Sequence, residues 1–465
     1  MTNDLLYLTS ENHALCTDLY ELTMAAAYFE AGVHETRASF ELFTRQLPVH
    51  RNYLLAAGLE QAVAYLQNLR FSAEDIDFVR SLPIFRKCCS AFFEYLREFR
   101  FTGDVWALAE GTPFFANEPV LQVEAPVIEA QLVETYLINI INVQSMVATK
   151  AARLTACAGG RPVVDFGSRR AHGPQTAVLA ARAAYLGGCA GTSNVLAGRL
   201  LGIPVFGTMA HSFVQFFGDE DQAFECFARV FRENTTLLVD TYDIAEGIRR
   251  AARFPYPISG IRIDSGNLIQ WAKEARRILD AAGKKEVHIL TSGSLHEEDL
   301  LQFAEADAPV DSFGVGTELV VSSDAPGCDL VYKLVEVQAP GSAAEPRFKS
   351  SPGKETLPHR KQIYRLYREG TACKDWLARW DESPPLGEHQ ARPLLERVLQ
   401  NGELQYPLPA LGEIRRFAAE NVTSLPPEVQ DPRGSASYPV EMSPRLDEAR
   451  RRLNQQHVGT FEPGS

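Results

Sequence analysis

The chain predicts an α/β fold with a mainly parallel sheet, closed into a barrel rather than left open. Three observations carry this reading. From about residue 145 to 317, short apolar or β-branched runs alternate with helical patterns. Each run ends in Gly, Ser, Thr or Asp, residue types that turn the chain and present polar groups. Seven such runs within about 170 residues favour a barrel over a doubly wound sheet.

The elements follow in chain order. Residues 14–35 predict a helix, with Leu15, Leu19, Leu22 and Ala26 at three- and four-residue spacing. Residues 38–47 predict a strand and residues 54–69 a second helix. Residues 103–126 alternate like β structure, with turn signals at Gly111-Thr112-Pro113 and Asn117-Glu118-Pro119. Val127 to Val147 carries Glu129 and Glu134 and predicts one amphipathic helix. The seven runs are residues 162–167, 188–192, 205–208, 236–240, 261–266, 287–293 and 312–317. Ile203-Pro204-Val205-Phe206 predicts a short buried strand. Residues 339–346 predict a loop, and residues 424–438 and 459–465 carry Pro and Gly with few apolar residues, the last forming a mobile tail. The expected division is an N-terminal α/β domain (1–145), an α/β barrel that does the chemistry (146–335), and a C-terminal region (336–465) packing on the first.

With 465 residues, 45% of them hydrophobic, the chain has ample material for a core and two or three domains. A net charge of −13 argues against nonspecific nucleic-acid binding. Any anionic ligand must then meet a local concentration of Arg and backbone N–H groups. The first twenty residues lack the basic and apolar regions of a signal peptide. No uncharged apolar stretch reaches the roughly 18 residues of a membrane helix. Eight cysteines with no CxxC spacing indicate neither a disulfide framework nor structural zinc. The expected setting is the cytoplasm.

Polar residues gather after the predicted strands. Phe166-Gly167-Ser168-Arg169-Arg170 offers an aromatic plane and two guanidiniums, whose planar forks suit phosphate. An ordinary ion pair is the alternative use of either arginine. In Ile261-Arg262-Ile263-Asp264, period 2 puts Arg262 and Asp264 on one strand face. They form either a mutual salt bridge or a site for an anion and for ribose hydroxyls or a metal. Ser292-Gly293-Ser294-Leu295 and Gly314-Val315-Gly316-Thr317 expose backbone N–H groups late in the alternating region, where barrels often hold phosphate. Asp240-Thr241-Tyr242-Asp243 supplies two carboxylates for Mg²⁺ or for capping the next helix. His211 follows a strand in Gly207-Thr208-Met209-Ala210-His211-Ser212; alone, such a histidine is more often a packed or capping residue.

Together these segments resemble the nicotinate phosphoribosyltransferases. The resemblance rests on Thr17-Asp18-Leu19-Tyr20-Glu21-Leu22-Thr23-Met24, Glu110-Gly111-Thr112-Pro113, Asp165-Phe166-Gly167-Ser168-Arg169-Arg170-Ala171, Gly207-Thr208-Met209-Ala210-His211-Ser212, Ile263-Asp264-Ser265-Gly266 and Val331-Tyr332-Lys333-Leu334. It covers roughly residues 10–370 in order. It implies the irregular α/β barrel of type II phosphoribosyltransferases, packed on an N-terminal α/β domain, in a homodimer with a composite active site. It implies an ATP-coupled ligase that makes nicotinate mononucleotide and diphosphate from nicotinate and 5-phosphoribosyl 1-diphosphate (PRPP), in NAD salvage. Mg²⁺ or Mn²⁺ would be required, with ligands unassigned; nucleic acid and membrane are not expected partners.

Carried across by motif, His211 would be the phosphorylated histidine and Asp264 would orient the ribose or its metal. Tyr20, from the partner subunit, and Phe166 would sandwich the pyridine ring. Thr208 and Arg262 would help hold nicotinate. Arg169 would contact substrate or phosphate, and Gly293, Gly316 and Thr317 would hold phosphate.

Two positions modify the implication. The nicotinamide-using relative has an Asp in the motif matching Gly191-Thr192-Ser193-Asn194, where this chain has Ser193. A serine tolerates a carboxylate that an Asp would repel, which favours nicotinate. In the stretch from Ser350 to Gln362, His359 stands after Pro358 where the family usually has Gly, so a different turn is expected there. A nicotinamide or quinolinate phosphoribosyltransferase and a catalytically silent scaffold are the competing readings.

Overall fold

The computed structural model describes residues 8–9, 12–351, 353–384, 387 and 390–458. The expected mobile tail at 459–465 therefore lies outside the described residues, as does Pro352 of the stretch around His359. The chain divides into two compact units. One comprises Met146–Pro326 with Leu411–Ala419; the other is made from the chain before Met146 together with Gly327–Ala410 and the chain from Glu420 on.

The unit built around Met146–Pro326 carries a six-stranded parallel sheet. Its strands lie in the order Gly191–Thr192, Val163–Asp165, Ser312–Val315, His288–Gly293, Gly260–Ile263 and Thr236–Leu238. Its strand interiors are mainly buried, with Ile261, Ile263, Phe313 and Val315 fully so, because helices connect successive parallel strands. Several helices start on an Asn or Asp that ends the strand-to-helix turn. Asn194, Asp243 and Asn267 each accept a backbone N–H of the following helix, at Val195–Leu201, Ile244–Arg253 and Leu268–Ala281. Six of the seven expected strands are present. The run at 205–208 forms only a single parallel bridge, Val205 to Thr192. The expected buried strand at Ile203–Phe206 is thus corrected: Ile203 is buried, but Val205 and Phe206 are exposed on an outer edge. Apolar composition alone does not distinguish a buried strand from an uncovered edge.

The other unit holds a seven-stranded antiparallel sheet, ordered Glu345–Pro346, Leu330–Gln338, Arg37–Thr44, Leu121–Pro126, Asp104–Leu108, Leu395–Gln400 and Glu403–Leu404. Arg37–Thr44 lies in its interior and is almost wholly buried. That burial includes Glu41, which pairs with Lys361 at 2.7 Å and accepts from Gln122 at 2.9 Å. A four-stranded sheet (Gln390–Pro393, Lys361–Arg368, Thr371–Arg379, Val440–Met442) completes this unit.

Three helix expectations are revised here. The helix expected over 14–35 is a short 3-10 turn, His13–Leu15, and a separate helix, Leu19–Glu30. Residues 54–69 begin as a two-residue strand, Leu54–Leu55, before the helix Leu59–Asn68. Gly58 separates them with φ 102°, and a side chain there would come within 2.8 Å of the Ile140 carbonyl oxygen. The helix expected from Val127 to Val147 is two, Val127–Leu132 and Glu134–Cys157. Among the described residues no helix is long and apolar enough to cross a membrane. All eight cysteines are free thiols.

Candidate active site

The strand pairings bring the expected residues of the parallel sheet to one end of it. Asp165 lies beside Val315, Val315 beside Gly293, and Thr291 beside Ile263. Phe166, Arg262, Asp264, Gly293, Gly316 and Thr317 therefore lie at or just beyond the carboxyl ends of neighbouring strands, where parallel sheets bind ligands.

Phe166 continues the edge of the sheet, its N–H donating to the Val315 carbonyl at 2.8 Å. Gly314 is required beneath the ring, since a Cβ there would come within 2.4 Å of the Phe166 Cδ2. Gly314 thus leaves room for the aromatic plane. The turn after Phe166 is held by Asp165, which accepts from the Gly167 N–H at 2.8 Å and the Thr192 hydroxyl at 2.7 Å. Burial pushes the Asp165 carboxyl up, against the pull of those two donors. Arg169 and Arg170 then emerge exposed on the 3-10 turn Ser168–Arg170. Neither has a carboxylate partner among the described residues.

Arg262 and Asp264 do pair, Nη2 to Oδ1 at 2.7 Å. Arg262 also donates Nε to the Ser292 hydroxyl at 2.7 Å and Nη1 to the Thr208 hydroxyl at 3.2 Å and the Met209 carbonyl at 3.3 Å. Its guanidinium carbon lies 5.7 Å from the Phe166 ring centroid. A guanidinium has five N–H donors, and these contacts engage all but one, an Nη2 N–H. Asp264 accepts from the Ser292 hydroxyl as well. Burial alone would raise the Asp264 carboxyl, but Arg262, Ser292 and His211 outweigh it and hold it below the usual carboxylate range.

His211 opens the helix His211–Phe217. Its Nδ1 is 3.2 Å from the Thr241 hydroxyl, and its Nε2 lies 3.9 Å from both Asp240 Oδ1 and Asp264 Oδ2. The ring is partly exposed, so it is reachable from solvent and held from behind. Asp240 is the residue that sequence reasoning left unassigned. Its Oδ2 accepts from the Asp264 N–H at 2.9 Å and the Ser265 hydroxyl at 2.6 Å. Its buried Oδ1 faces the histidine and has no hydrogen-bond partner among the described residues. Asp243, by contrast, caps the next helix, accepting from the Glu246 N–H at 2.7 Å. Of the two carboxylates of that segment, Asp243 takes the capping use. Ser292 and Thr241 were likewise present in the quoted segments, without a signal to mark them.

Gly293 takes φ 133°, a conformation that side chains rarely adopt, and Gly316 precedes the short helix Thr317–Val320. Tyr20 belongs to the other unit, in the first turn of helix Leu19–Glu30, with 45% of its surface exposed. Burial and the neighbouring Glu134 and Glu21 push its hydroxyl up, and that hydroxyl bonds Glu134. His359 corrects an expectation: it adopts φ 65°, so the turn keeps the left-handed backbone that a glycine would favour. Its Nδ1 lies 3.2 Å from Glu336, and its N–H donates to the Val335 carbonyl at 3.0 Å.

Comparison with known proteins agrees with this geometry. Three family models match in succession: the nicotinate phosphoribosyltransferase N-terminal domain over residues 15–142, the nicotinate phosphoribosyltransferase family over 162–345, and its C-terminal domain over 386–450. The nicotinate phosphoribosyltransferase pncB2 of Mycobacterium tuberculosis is 45% identical over 460 residues, covering 97% of this chain and 96% of that one. The nicotinate phosphoribosyltransferase of Bacillus subtilis is 36% identical, covering 92% and 93%. The crystal structure of human nicotinic acid phosphoribosyltransferase superposes with a TM-score of 0.82 at 32% identity, covering 94% of this chain and 99% of that one. The fold is therefore the α/β fold of type II phosphoribosyltransferases, and the chain belongs to the nicotinate phosphoribosyltransferase family.

Proposed function

We propose that this chain joins nicotinate to the ribose of PRPP, releasing diphosphate, with ATP hydrolysis coupled through His211. The observation that carries this reading is the convergence, at one sheet end, of the Phe166 ring, the Arg262 guanidinium and a histidine between two carboxylates. Phe166 supplies a face for a pyridine ring. Thr208 and the remaining Arg262 N–H suit its carboxylate. The unpaired Arg169, with Gly293, Gly316 and Thr317, suits the phosphate groups.

The reaction asks mainly for positioning and charge. Diphosphate leaves with growing negative charge while the ribose carbon becomes cationic, and the pyridine nitrogen is already a nucleophile. No strong general base is needed. Asp264, ionised across the neutral range, lies where it can stabilise a cationic ribose. Asp240 and Asp264 both lie 3.9 Å from the His211 ring. Phosphorylation of His211 would add about two negative charges, so the Arg-bearing turns must respond to it.

A divalent cation fits the donors present. The orphaned Asp240 Oδ1 and the Asp264 Oδ2 are hard oxygens on either side of His211. Mg²⁺ commonly takes one or two carboxylates and completes its shell with water and substrate phosphates. When bound there it would neutralise phosphate charge. The eight free thiols suit a reducing cytoplasm.

A homodimer with Tyr20 acting across the subunit boundary suits the surface. Val195, Leu196, Leu200, Val205, Phe206 and Phe216 are exposed, Phe216 by 84%. Such apolar surface is usual where another chain packs. Mixing inactive Tyr20→Ala and His211→Ala proteins, then re-assembling them, should restore part of the activity. The deciding experiment measures nucleotide formed from PRPP with nicotinate, nicotinamide or quinolinate, with and without ATP and Mg²⁺. Nicotinate should be used with ATP stimulation and ADP release, and His211→Ala should abolish the stimulation. Turnover of nicotinamide in preference to nicotinate would overturn the substrate assignment.

A further inference from the structure

A buried lysine stands behind the two glycine loops. Lys150 lies in the second half of helix Glu134–Cys157, and its side chain is 1% exposed. An ammonium is stable there only when paired. Its Nζ donates to Glu297 at 2.6 Å and to Asp324 at 2.9 Å, and lies 4.0 Å from Glu318. Arg153, one turn further along, donates Nε to the other oxygen of Glu297 at 3.0 Å. Burial would raise the Glu297 carboxyl, but Lys150 and Arg153 outweigh it and hold it below the usual range.

The places of these carboxylates in the chain give the cluster its meaning. Glu297 opens helix Glu297–Glu305, just downstream of Gly293. Glu318 directly follows Thr317, and Asp324 lies in the turn after helix Thr317–Val320. The strands that deliver the two loops are neighbours, with Gly293 beside Val315. One cation therefore ties together the downstream arms of both loops. It also neutralises carboxylates that would otherwise repel each other and any nearby polyanion. At 1% exposure it cannot itself touch a ligand.

We propose that Lys150 is a positioning residue for PRPP. Through Glu297 and Asp324 it fixes the spacing of the Gly293 and Gly316-Thr317 loops and so sets the affinity for the phosphate groups. This rests on the reading that those loops hold phosphate.

The test is steady-state kinetics of Lys150→Met, Lys150→Arg, Asp324→Asn and Gly293→Val, with rates normalised to folded protein. Lys150→Met should raise KM for PRPP about tenfold while kcat and KM for nicotinate stay within about twofold. Lys150→Arg should recover most of that loss, and Asp324→Asn should show a smaller rise in the same KM. Equal rises in both KM values, or a fall in kcat alone, would overturn the proposal. Should Lys150→Met fail to fold, Asp324→Asn decides, and an unchanged KM for PRPP there sinks the idea. Gly293→Val separates the two levels. If it leaves KM for PRPP unchanged, the phosphate-loop reading fails and the proposal with it. If it raises that KM while the Lys150 variants do not, only the role of Lys150 fails.

Discussion

Two arginine–aspartate pairs, one in each unit, use the same chemistry for opposite ends. Arg365 and Asp375 face each other on neighbouring antiparallel strands, both fully buried. Their contact is bidentate, Nε to Oδ1 at 2.9 Å and Nη2 to Oδ2 at 2.6 Å, with a further bond from Nη2 to the Pro113 carbonyl at 2.8 Å. Arg262 on its strand and Asp264 just beyond it share one contact, and Asp264 keeps an oxygen turned toward His211. The first pair is sealed from solvent, and Asp375 also accepts from the Tyr438 hydroxyl at 3.3 Å. The second is partly exposed to something that arrives. Openness, and not the presence of an ion pair, separates a site from a scaffold.

The largest expected effect tests the closed pair. Arg365→Met should cost roughly 3–5 kcal/mol of stability, because it strands Asp375 in a dry interior. Chemical denaturation measures it, and activity per folded molecule should not change. A loss below about 1 kcal/mol would show that the pair is solvated or replaceable. The open pair should respond the other way. Asp264→Asn keeps the shape and removes the charge, so kcat/KM should fall about a hundredfold with little change in thermal stability. A large drop in Tm with a small kinetic effect would erase the distinction.

Glu21 sharpens the comparison, as a buried carboxylate held by neutral donors. It accepts from the Thr17 and Thr135 hydroxyls and, at 3.1 Å, from the Thr135 N–H. Burial raises it from 4.5 to about 7, against those donors. The folded chain then binds a proton more readily than the unfolded one. The associated stability is fully present below pH 4.5 and is lost as pH rises through about 7. It amounts to roughly 3 kcal/mol across that window. Glu21→Gln should flatten this part of the stability–pH profile; an unchanged slope would refute it. The paired Asp264 titrates in the opposite sense. Held below the usual range, it contributes stability that is lost only as pH falls through that lowered value. The smallest effect concerns specificity. Ser193→Asp should raise KM for nicotinate about tenfold more than KM for nicotinamide, by placing a carboxylate toward a carboxylate. Equal effects on both would leave the choice of base to other residues.

Much of the parallel sheet was legible because its signals are local. A buried strand between two helices must be a short apolar run, and the turn after it must hold polar or small residues. Phe166, Arg262 and Asp264 were therefore visible as strand-end residues, and His211 through its motif. The edge at Val205–Phe206 was not, since an exposed edge and a buried strand share one composition. Gly58 hid a strand inside an apparent helix, because the apolar run continues across it. His359 shows the converse: a residue other than glycine kept a left-handed turn.

The sequence by itself determined the alternation of strands and helices, the family, and the residue types at each strand end. These depend on neighbours along the chain, and motif order preserves them. Only the tertiary structure decided which charges distant in the chain meet. It set Asp240 behind His211, Gly314 beneath Phe166, and Glu297 and Asp324 on Lys150, the last two 147 and 174 residues away in the chain. Charge pairing and steric clearance act through space at a few ångströms, and nothing in local spacing encodes them.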